Sequence, residues 1–150
     1  MTFQNNLENR LEIVKEARRW IGTPYHHSGR LIGVGCDCGG MLYEIYSKFF
    51  GPFKPFPKKY MPDWALHRDN EIYLDFVKQY GKEVSSPNIG DLVLFRVGRN
   101  YSHGTLYSEK NTYIHAYGRT GRGSVVESPL AFFTLGKRLR TFKCFDLFRE

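Results

Sequence analysis

Residues 35–50 read GCDCGGMLYEIYSKFF, and this stretch decides the fold prediction. Its apolar side chains recur at the spacing of an amphipathic helix. They are Cys38, Met41, Leu42, Ile45, Tyr46 and Phe49. We therefore expect a helix that begins at Cys38 and buries one face. A cysteine at that place lies at the positive end of the helix dipole, beside backbone N–H groups that lack a helical partner.

The chain on either side of this helix changes from helical to strand-forming patterns. Helices are predicted over 7–21 and 70–80, with loops over 28–35 and 51–63. The apolar stripe of the first helix is Leu7, Leu11, Val14, Ala17 and Ile21, and the third helix has Asp69 as its N-cap and Tyr73, Val77 and Tyr80 facing inward. After a break near 81–90, strands are predicted at 91–97, 102–108, 112–117, 123–127 and 139–148. Helices followed by strands predict an α+β fold with an antiparallel sheet, in one domain over 1–150.

Composition limits the class of protein. The 150 residues suit one domain, and three cysteines, with Cys36 and Cys38 close together, do not suit a disulfide framework. No signal peptide and no apolar run of about 20 residues is visible, so we expect synthesis in the cytoplasm and no membrane span. The net charge is +7, and residues 96–150 hold ten basic and four acidic side chains. This half should attract a polyanion, whether nucleic acid, acidic lipid or cell wall.

Three side chains suggest nucleophilic catalysis. Cys38 begins a helix, where a nearby histidine helps to lower a thiol pKa from about 8.5 into a range of roughly 3.5–7.5. His103 and His115 lie on two predicted strands that form a hairpin around 109–111, which brings both to the same end. One imidazole would take the thiol proton and the second would orient the first. The alternative is structural: a small core thiol and two surface or hydrogen-bonded imidazoles.

Two other kinds of site compete with this interpretation. A zinc site is disfavoured, because Cys36 and Cys38 lack knuckle spacing and Cys144 has no neighbouring ligand. We interpret Cys36 and Cys144 as packing thiols, and His26, His27 and His67 as loop or rim residues. Aromatic residues among the basic ones of 96–148 would suit stacking on single-stranded nucleic acid, but core packing is the commoner use of strand aromatics.

Five short motifs carry a family resemblance. They are WIGTPY at 20–25, GVGCDCGG at 33–40, GDLVLF at 90–95, SHG at 102–104 and IHA at 114–116. In this order and spacing, over residues 8–117, the chain resembles the NlpC-type cell-wall cysteine peptidases. The resemblance implies a papain-like α+β domain. It also implies hydrolysis of an amide bond in the peptide stem of bacterial peptidoglycan, beside γ-linked D-glutamate, without a metal or cofactor.

The resemblance also implies roles for single residues. Cys38 matches the nucleophile, His103 the general base and His115 the third, orienting residue. The substrate-binding positions are Tyr25, Asp37 and Gly39. Tyr25 matches a tyrosine beside the nucleophile that helps to hold substrate and oxyanion. Asp37 matches an aspartate that grips a free N-terminal L-alanine amine and should oppose thiolate formation. Gly39 stands where many relatives have serine, which removes a hydroxyl used in amine recognition.

A finer resemblance concerns the phage and prophage tail branch of that family. It rests on residues 51–69 and 95–100. It implies phage tail proteins as partners and action at the cell wall after delivery by a tail or after lysis, with peptidoglycan stem peptides as substrate and no nucleic acid. The alternatives are a catalytically silent tail or assembly protein, a basic polyanion-binding module, and an acyltransferase with the same cysteine chemistry.

Overall fold

The computed structural model of the chain describes residues 3–55, 72–97, 100–119, 122–134 and 141–148. The helices within them are α1 (Leu7–Arg18), α2 (Cys38–Phe50), α3 (Ile72–Lys78) and α4 (Leu130–Thr134). The strands are β1 (Arg30–Leu31), β2 (Gly35–Cys36), β3 (Lys82–Val84), β4 (Leu92–Val97), β5 (Asn100–Tyr107), β6 (Thr112–Arg119), β7 (Arg122–Pro129) and β8 (Phe142–Asp146). Helices α1, α2 and α3 precede the strands β3 to β8, as the sequence predicts.

Six strands form one antiparallel sheet in the order β3-β8-β4-β5-β6-β7. Strands β4 to β7 are neighbours in sequence and in space, while β8 returns to lie between β3 and β4. Leu92 of β4 therefore lies opposite Leu106 of β5 on one side and Phe145 of β8 on the other. Helices packed on an antiparallel sheet make the fold α+β, as the sequence predicts.

Two of the strand pairings were not predicted. Strands β1 and β2 form a separate hairpin over residues 30–36, most of which fall in the loop predicted at 28–35. Strand β3 lies in the break at 81–90 and pairs with β8 at the sheet edge. These strands are two or three residues long, which is too short for the alternation of apolar and polar side chains to be visible.

Apolar side chains cover both faces of the sheet, because alternate residues of a strand point to opposite sides. The face that packs against α1, α2 and α3 carries Leu92, Leu94, Leu106, Ile114 and Ala116. The opposite face packs against Phe133 of α4 and carries Val93, Phe95, Tyr113 and Cys144. Strand β4 is thus buried on both faces, which explains its continuous apolar run.

The face of α1 that packs on the sheet differs from the predicted stripe. Its buried residues are Arg10, Ile13, Val14 and Ala17. The exposed positions of the predicted stripe are Leu7, Leu11 and Ile21. The helix also ends at Arg18, so Ile21 lies in the turn that follows.

The reason for this rotation is the buried side chain of Arg10. Its Nη1 donates to Oδ1 of Asp91 at 2.9 Å and to the carbonyl oxygen of Ile89 at 2.9 Å. Its Nη2 donates to Oδ2 of Asp146 at 2.8 Å. A buried guanidinium is tolerated only where it is paired, so these carboxylates turn the Arg10 face of α1 inward.

Helix α2 agrees with its prediction. It begins at Cys38 and buries Met41, Leu42, Ile45 and Tyr46. The oxygen Oδ1 of Asp37 caps it by accepting the backbone N–H of Gly40 at 2.8 Å.

Helix α3 is shorter than the predicted 70–80, and the predicted N-cap Asp69 lies outside the described residues. Its inward residues Tyr73 and Val77 are buried, as predicted. Most of the predicted loop at 51–63, together with His67, also lies outside the described residues. None of the described helices is both long enough and apolar enough to cross a membrane.

Candidate active site

Cys38 lies where α2 meets β5. Its thiol is 3.7 Å from the carbonyl oxygen of Ser102, to which it donates, and lies beside the backbone N–H of Gly104. A side chain at Gly104 would prevent α2 and α3 from packing this closely on β5, because a Cβ there would lie 2.6 Å from the hydroxyl oxygen of Tyr73. Ser102 and Gly104 are the neighbours of His103. The half-buried thiol therefore touches the main chain on both sides of the predicted base.

The surroundings of Cys38 keep its thiol protonated. Burial, followed by the carboxylate of Asp37, raises the pKa of the thiol to about 12. Hydrogen bonds from the N–H of Gly104, the hydroxyl of Tyr73 and the N–H of Gly39 lower the pKa by less. The expectation that the helix N-terminus lowers this pKa is therefore wrong for the resting site, since removing the thiolate from water costs more than the helix end returns. The opposing effect of Asp37 has the predicted direction.

His103 on β5 and His115 on β6 contact each other directly. The Nε2 atom of His103 lies 2.9 Å from Nδ1 of His115, and the rings meet edge to face with centroids 5.0 Å apart. Strands β5 and β6 pair at Leu106 and Ile114, close to the hairpin turn. The predicted hairpin therefore brings both histidines to one place.

Helix α4 covers the histidine pair with aromatic rings. The ring centroid of Phe133 lies 5.9 Å from that of His103 and 4.8 Å from that of His115, and Phe132 lies 5.2 Å from His115. Burial lowers the pKa of His103 to about 4. Burial, and then the neighbouring His103, lowers the pKa of His115 to about 2. Both imidazoles are thus neutral at neutral pH, with one protonated nitrogen each.

The second ring nitrogen of His115 contacts β7. Its Nε2 lies 3.0 Å from Oγ of Ser128, and both side chains are buried. His103, His115 and Ser128 thus form a continuous polar line across three neighbouring strands, on the sheet face that α4 covers.

Tyr25 lies close enough to Cys38 for the two groups to interact electrostatically. Its ring packs on Gly118 of β6, where a Cβ would lie 2.5 Å from Cδ1 of the ring. Its backbone N–H donates to the carbonyl oxygen of Gly123 at 3.0 Å. Burial, and then the charges that Cys38 and Asp37 carry when they are ionised, raises the pKa of its hydroxyl. The residue keeps 37% of its surface exposed, so a ligand at Cys38 can reach it.

Asp37 holds the loop that precedes α2. Besides capping Gly40, it accepts the backbone N–H of Ser28 through Oδ2 at 2.7 Å, and Nδ1 of His27 lies 3.9 Å from the same oxygen. Its exposed fraction is 3%. Gly39 is buried beside it at the start of α2. The structure shows a capping role for Asp37, and its role in binding a substrate amine stays a prediction.

Three side chains of this site were not predicted as functional. They are Tyr73 of α3, Ser128 of β7 and Phe133 of α4. Tyr73 was predicted only as a core residue, and its hydroxyl meets the thiol because α3 packs on β5. The one available signal for Ser128 is the strand register, in which it lies opposite Tyr113. No local spacing relates these residues to the predicted triad, so sequence patterns do not find them.

Among the described residues, the remaining cysteines and histidines add no second site. Cys36 and Cys144 are buried in the core as predicted, and burial raises their thiol pKa values to about 12 and about 11. His26 and His27 lie in the loop before β1, where Nδ1 of His26 is 3.0 Å from the carbonyl oxygen of His27. The part of the chain that the structure describes contains no group of three or more His, Cys, Asp or Glu placed to hold a metal ion.

Sequence comparison relates this chain to the NlpC/P60 family. The profile of the NlpC/P60 family matches residues 22–134. A murein DD-endopeptidase MepS/murein LD-carboxypeptidase of Escherichia coli (strain K12) is 28% identical over 131 residues, which cover 84% of this chain and 60% of that protein. A gamma-DL-glutamyl hydrolase of Bacillus subtilis (strain 168) is 27% identical over 108 residues, which cover 69% of this chain and 22% of that protein. The chain thus spans at most about 60% of these relatives' length.

Solved structures show the same fold. The NlpC/p60 domain of the peptidoglycan hydrolase SagA superposes with a TM-score of 0.58 at 24% identity, covering 87% of this chain and 93% of that one. The peptidoglycan hydrolase RipB from Mycobacterium tuberculosis gives a TM-score of 0.62 at 19% identity, covering 98% and 69%. The fold is therefore papain-like, with α2, which begins at Cys38, packed on an antiparallel sheet.

Proposed function

We propose that this chain, which belongs to the NlpC/P60 family, is a cysteine peptidase that cleaves an amide bond in the peptide stem of bacterial peptidoglycan. One observation carries the proposal: the Cys38 thiol lies against β5 on both sides of His103, whose ring is held by His115 at 2.9 Å. The substrate class is supported by the names of the relatives, two of which are peptidoglycan hydrolases and one a murein endopeptidase.

Acylation begins with a proton transfer. Because Nε2 of His103 is engaged by His115, Nδ1 is the nitrogen that accepts the proton of the Cys38 thiol, once the thiol has turned away from the carbonyl oxygen of Ser102. The sulfur attacks the carbonyl carbon, and the oxyanion is held by backbone N–H at the start of α2 and by the hydroxyl of Tyr25. The C–N bond then breaks, and Nδ1–H of His103 protonates the leaving amine. A thioester on Cys38 remains.

Deacylation reverses the proton path. A water molecule gives one proton to Nδ1 of His103 while its oxygen attacks the thioester carbonyl. The C–S bond breaks, the peptide leaves as a carboxylic acid, and the proton returns to Cys38. The raised pKa of the thiol and the lowered pKa of His103 mean that the resting site is a neutral pair, so the ion pair forms only as the substrate reacts.

The finer chemistry of the substrate is part of the proposal. We place the cleaved bond beside γ-linked D-glutamate, a choice that the name of the gamma-DL-glutamyl hydrolase supports. The name of the Escherichia coli relative indicates a different bond, at a D,D linkage. Because Asp37 is buried and its oxygens are held by backbone N–H groups, a substrate amine would reach it only by displacing one of these bonds.

A phage tail setting remains a second proposal. In it, the enzyme reaches the wall through a tail or after lysis, and its partners are tail proteins. Its support is the resemblance of residues 51–69 and 95–100, which lie largely outside the described residues. A catalytically silent tail protein is the competing function, and the hydrolysis experiment separates the two.

The test is hydrolysis of defined stem peptides followed by mass spectrometry. One substrate carries the γ-D-glutamyl bond with a free N-terminal L-alanine, a second has that amine acetylated, and a third is a D,D-cross-linked dimer. We expect cleavage of the first, and loss of all cleavage in Cys38→Ala. The masses of the products identify the bond.

Cys144→Ala is the matched control, because Cys144 is also a free thiol but is buried in the opposite core. It should retain the wild-type rate. Equal inactivity of the wild type and Cys38→Ala on all three substrates would contradict the enzymatic function and favour the silent tail protein. Cleavage of the dimer alone would reassign the bond and leave the nucleophile in place.

A further inference from the structure

We propose that Ser128 is a positioning residue that sets the tautomer of His115 and thereby decides which nitrogen of His103 is available as the base. The inference rests on the proposed roles of Cys38 and His103, but its central measurement does not depend on turnover. Ser128 belongs to none of the motifs that carry the family resemblance.

The contact geometry links the three residues in series. Nε2 of His103 lies 2.9 Å from Nδ1 of His115, and Nε2 of His115 lies 3.0 Å from Oγ of Ser128. Ser128 pairs with Tyr113 in the β6–β7 ladder, so it lies diagonally from His115 on the same face of the sheet. His115 is fully buried and Ser128 is 6% exposed. In such a place a polar atom without a partner is strongly disfavoured.

Only two proton arrangements satisfy both contacts when the imidazoles are neutral. In the first, His103 donates from Nε2 to Nδ1 of His115, and His115 donates from Nε2 to Ser128. Nδ1 of His103 then carries a lone pair and can accept the thiol proton. In the second, His115 donates from Nδ1 to Nε2 of His103, and Ser128 donates to Nε2 of His115. His103 then holds its proton on Nδ1 and cannot act as the base.

Ser128 decides between these arrangements because it is the terminal partner. As an acceptor it satisfies the Nε2–H of His115 and keeps the first, productive arrangement. Without the hydroxyl, that arrangement leaves a buried N–H without an acceptor, whereas the second leaves only an unused lone pair. Buried N–H groups without partners are the rarer of the two in folded proteins. Removing the hydroxyl should therefore shift the pair toward the unproductive tautomers.

The direct test is the histidine tautomer in solution. The full chain is labelled with ¹⁵N-histidine, and long-range ¹H–¹⁵N correlation spectra identify which ring nitrogen carries the proton in His103 and His115. We expect Nε2–H on both rings in the wild type and in Ser128→Thr, which keeps a hydroxyl. In Ser128→Ala we expect a shift toward Nδ1–H on both rings. Thr112→Val is the control, because its hydroxyl bonds to Glu127 on the opposite face of the same strand pair.

A kinetic measurement accompanies the spectra. With a cleavable stem peptide, Ser128→Ala should lower kcat by about 10- to 100-fold, the range found when the hydrogen-bond partner behind a metal-binding histidine is removed. KM should not change, and Ser128→Thr should restore the rate. A residue that only supports the fold would lower the thermal stability of Ser128→Ala without moving the tautomers.

The results of the tautomer experiment can be distinguished from those of the hydrolysis experiment that tests the proposed function. Nδ1–H on His115 in the wild type, or tautomers unchanged in Ser128→Ala, would overturn the inference. The wild-type spectrum decides the first point even if Ser128→Ala fails to fold. A tautomer shift in a protein that cleaves no stem peptide would support the role of Ser128 while contradicting the peptidase function.

Discussion

The Nε2 atom of His103 and the Nδ1 atom of His115 lie 2.9 Å apart, under the rings of α4. One proton fits between these two nitrogens. If both rings were imidazolium ions, an N–H group on each of these nitrogens, and two positive charges, would face each other in a buried place. The contact therefore requires at least one neutral imidazole, and this requirement has consequences for stability in acid.

Acid should destabilise the protein because burial favours the neutral form of both histidines. The pKa values of His103 and His115 are about 4 and about 2, below the 6.5 of an unfolded histidine. The unfolded chain therefore binds more protons below about pH 6.5, and the stability that is complete above this pH is lost as the pH falls toward 4. Each histidine contributes a slope of up to about 1.4 kcal/mol per pH unit. Urea unfolding followed by circular dichroism between about pH 4 and 8 measures this slope of the free energy of unfolding against pH.

The variant His115→Gln isolates this effect. It removes one titrating group, so the slope of stability against pH should be smaller than in the wild type. Asp91 acts in the opposite direction, because burial raises its pKa to about 6 from 3.8, but it is common to both proteins. Parallel stability curves for the two proteins would contradict the prediction.

The reactivity of Cys38 should increase with pH far beyond neutrality. With a thiol pKa of about 12, the thiolate is scarce at neutral pH, and its fraction rises about tenfold per pH unit. Alkylation by iodoacetamide, followed by peptide mass spectrometry, should accelerate up to at least about pH 9. A plateau between about pH 5 and 7 would instead indicate a preformed thiolate–imidazolium pair.

Asp37→Asn provides the matched variant for this profile. It removes the carboxylate that raises the thiol pKa but keeps an oxygen that can cap Gly40. Alkylation of Cys38 should be faster at each pH than in the wild type. An unchanged profile would mean that burial alone sets the pKa.

The guanidinium of Arg10 should be a major source of stability. Arg10→Met leaves the carboxyl group of Asp91 1% exposed and without its cationic partner, and removing one partner of such a pair costs about 3–5 kcal/mol. Asp146→Asn should cost less, because the Asp146 side chain is 19% exposed. Urea unfolding at pH 7 measures both. The double variant Arg10→Met/Asp91→Leu should recover part of the loss, and equal effects of all three would contradict this account.

Salt should separate wall binding from catalysis. Residues 96–150 hold ten basic and four acidic side chains, so attraction to anionic wall fragments should weaken as the ionic strength rises from about 0.05 to 0.5 M. Cleavage of a short uncharged stem peptide should not change, because the site itself relies on neutral groups. Sedimentation with purified wall fragments measures binding. Salt-independent binding would show that the basic half has another purpose.

The sequence predictions agreed with the structure where the interacting residues are close in sequence, and failed where they are distant. Helix α2 was predicted from Cys38 because its apolar period and its cap lie within a few residues. The contact between His103 and His115 was predicted because a hairpin turn fixes which strands are neighbours. The stripe of α1 was predicted wrongly because Arg10 is buried by partners at 91 and 146, far away in sequence.

The sequence by itself determined the α+β fold, the helix that begins at Cys38 and the hairpin that carries both histidines. These features depend on local periodicity and turn chemistry. Only the tertiary structure decided the neutral state of the thiol and imidazoles, the contact of Tyr73 with Cys38, and the place of Ser128 behind His115. Burial and diagonal contacts across strands arise when distant elements pack together, so no short stretch of sequence contains them.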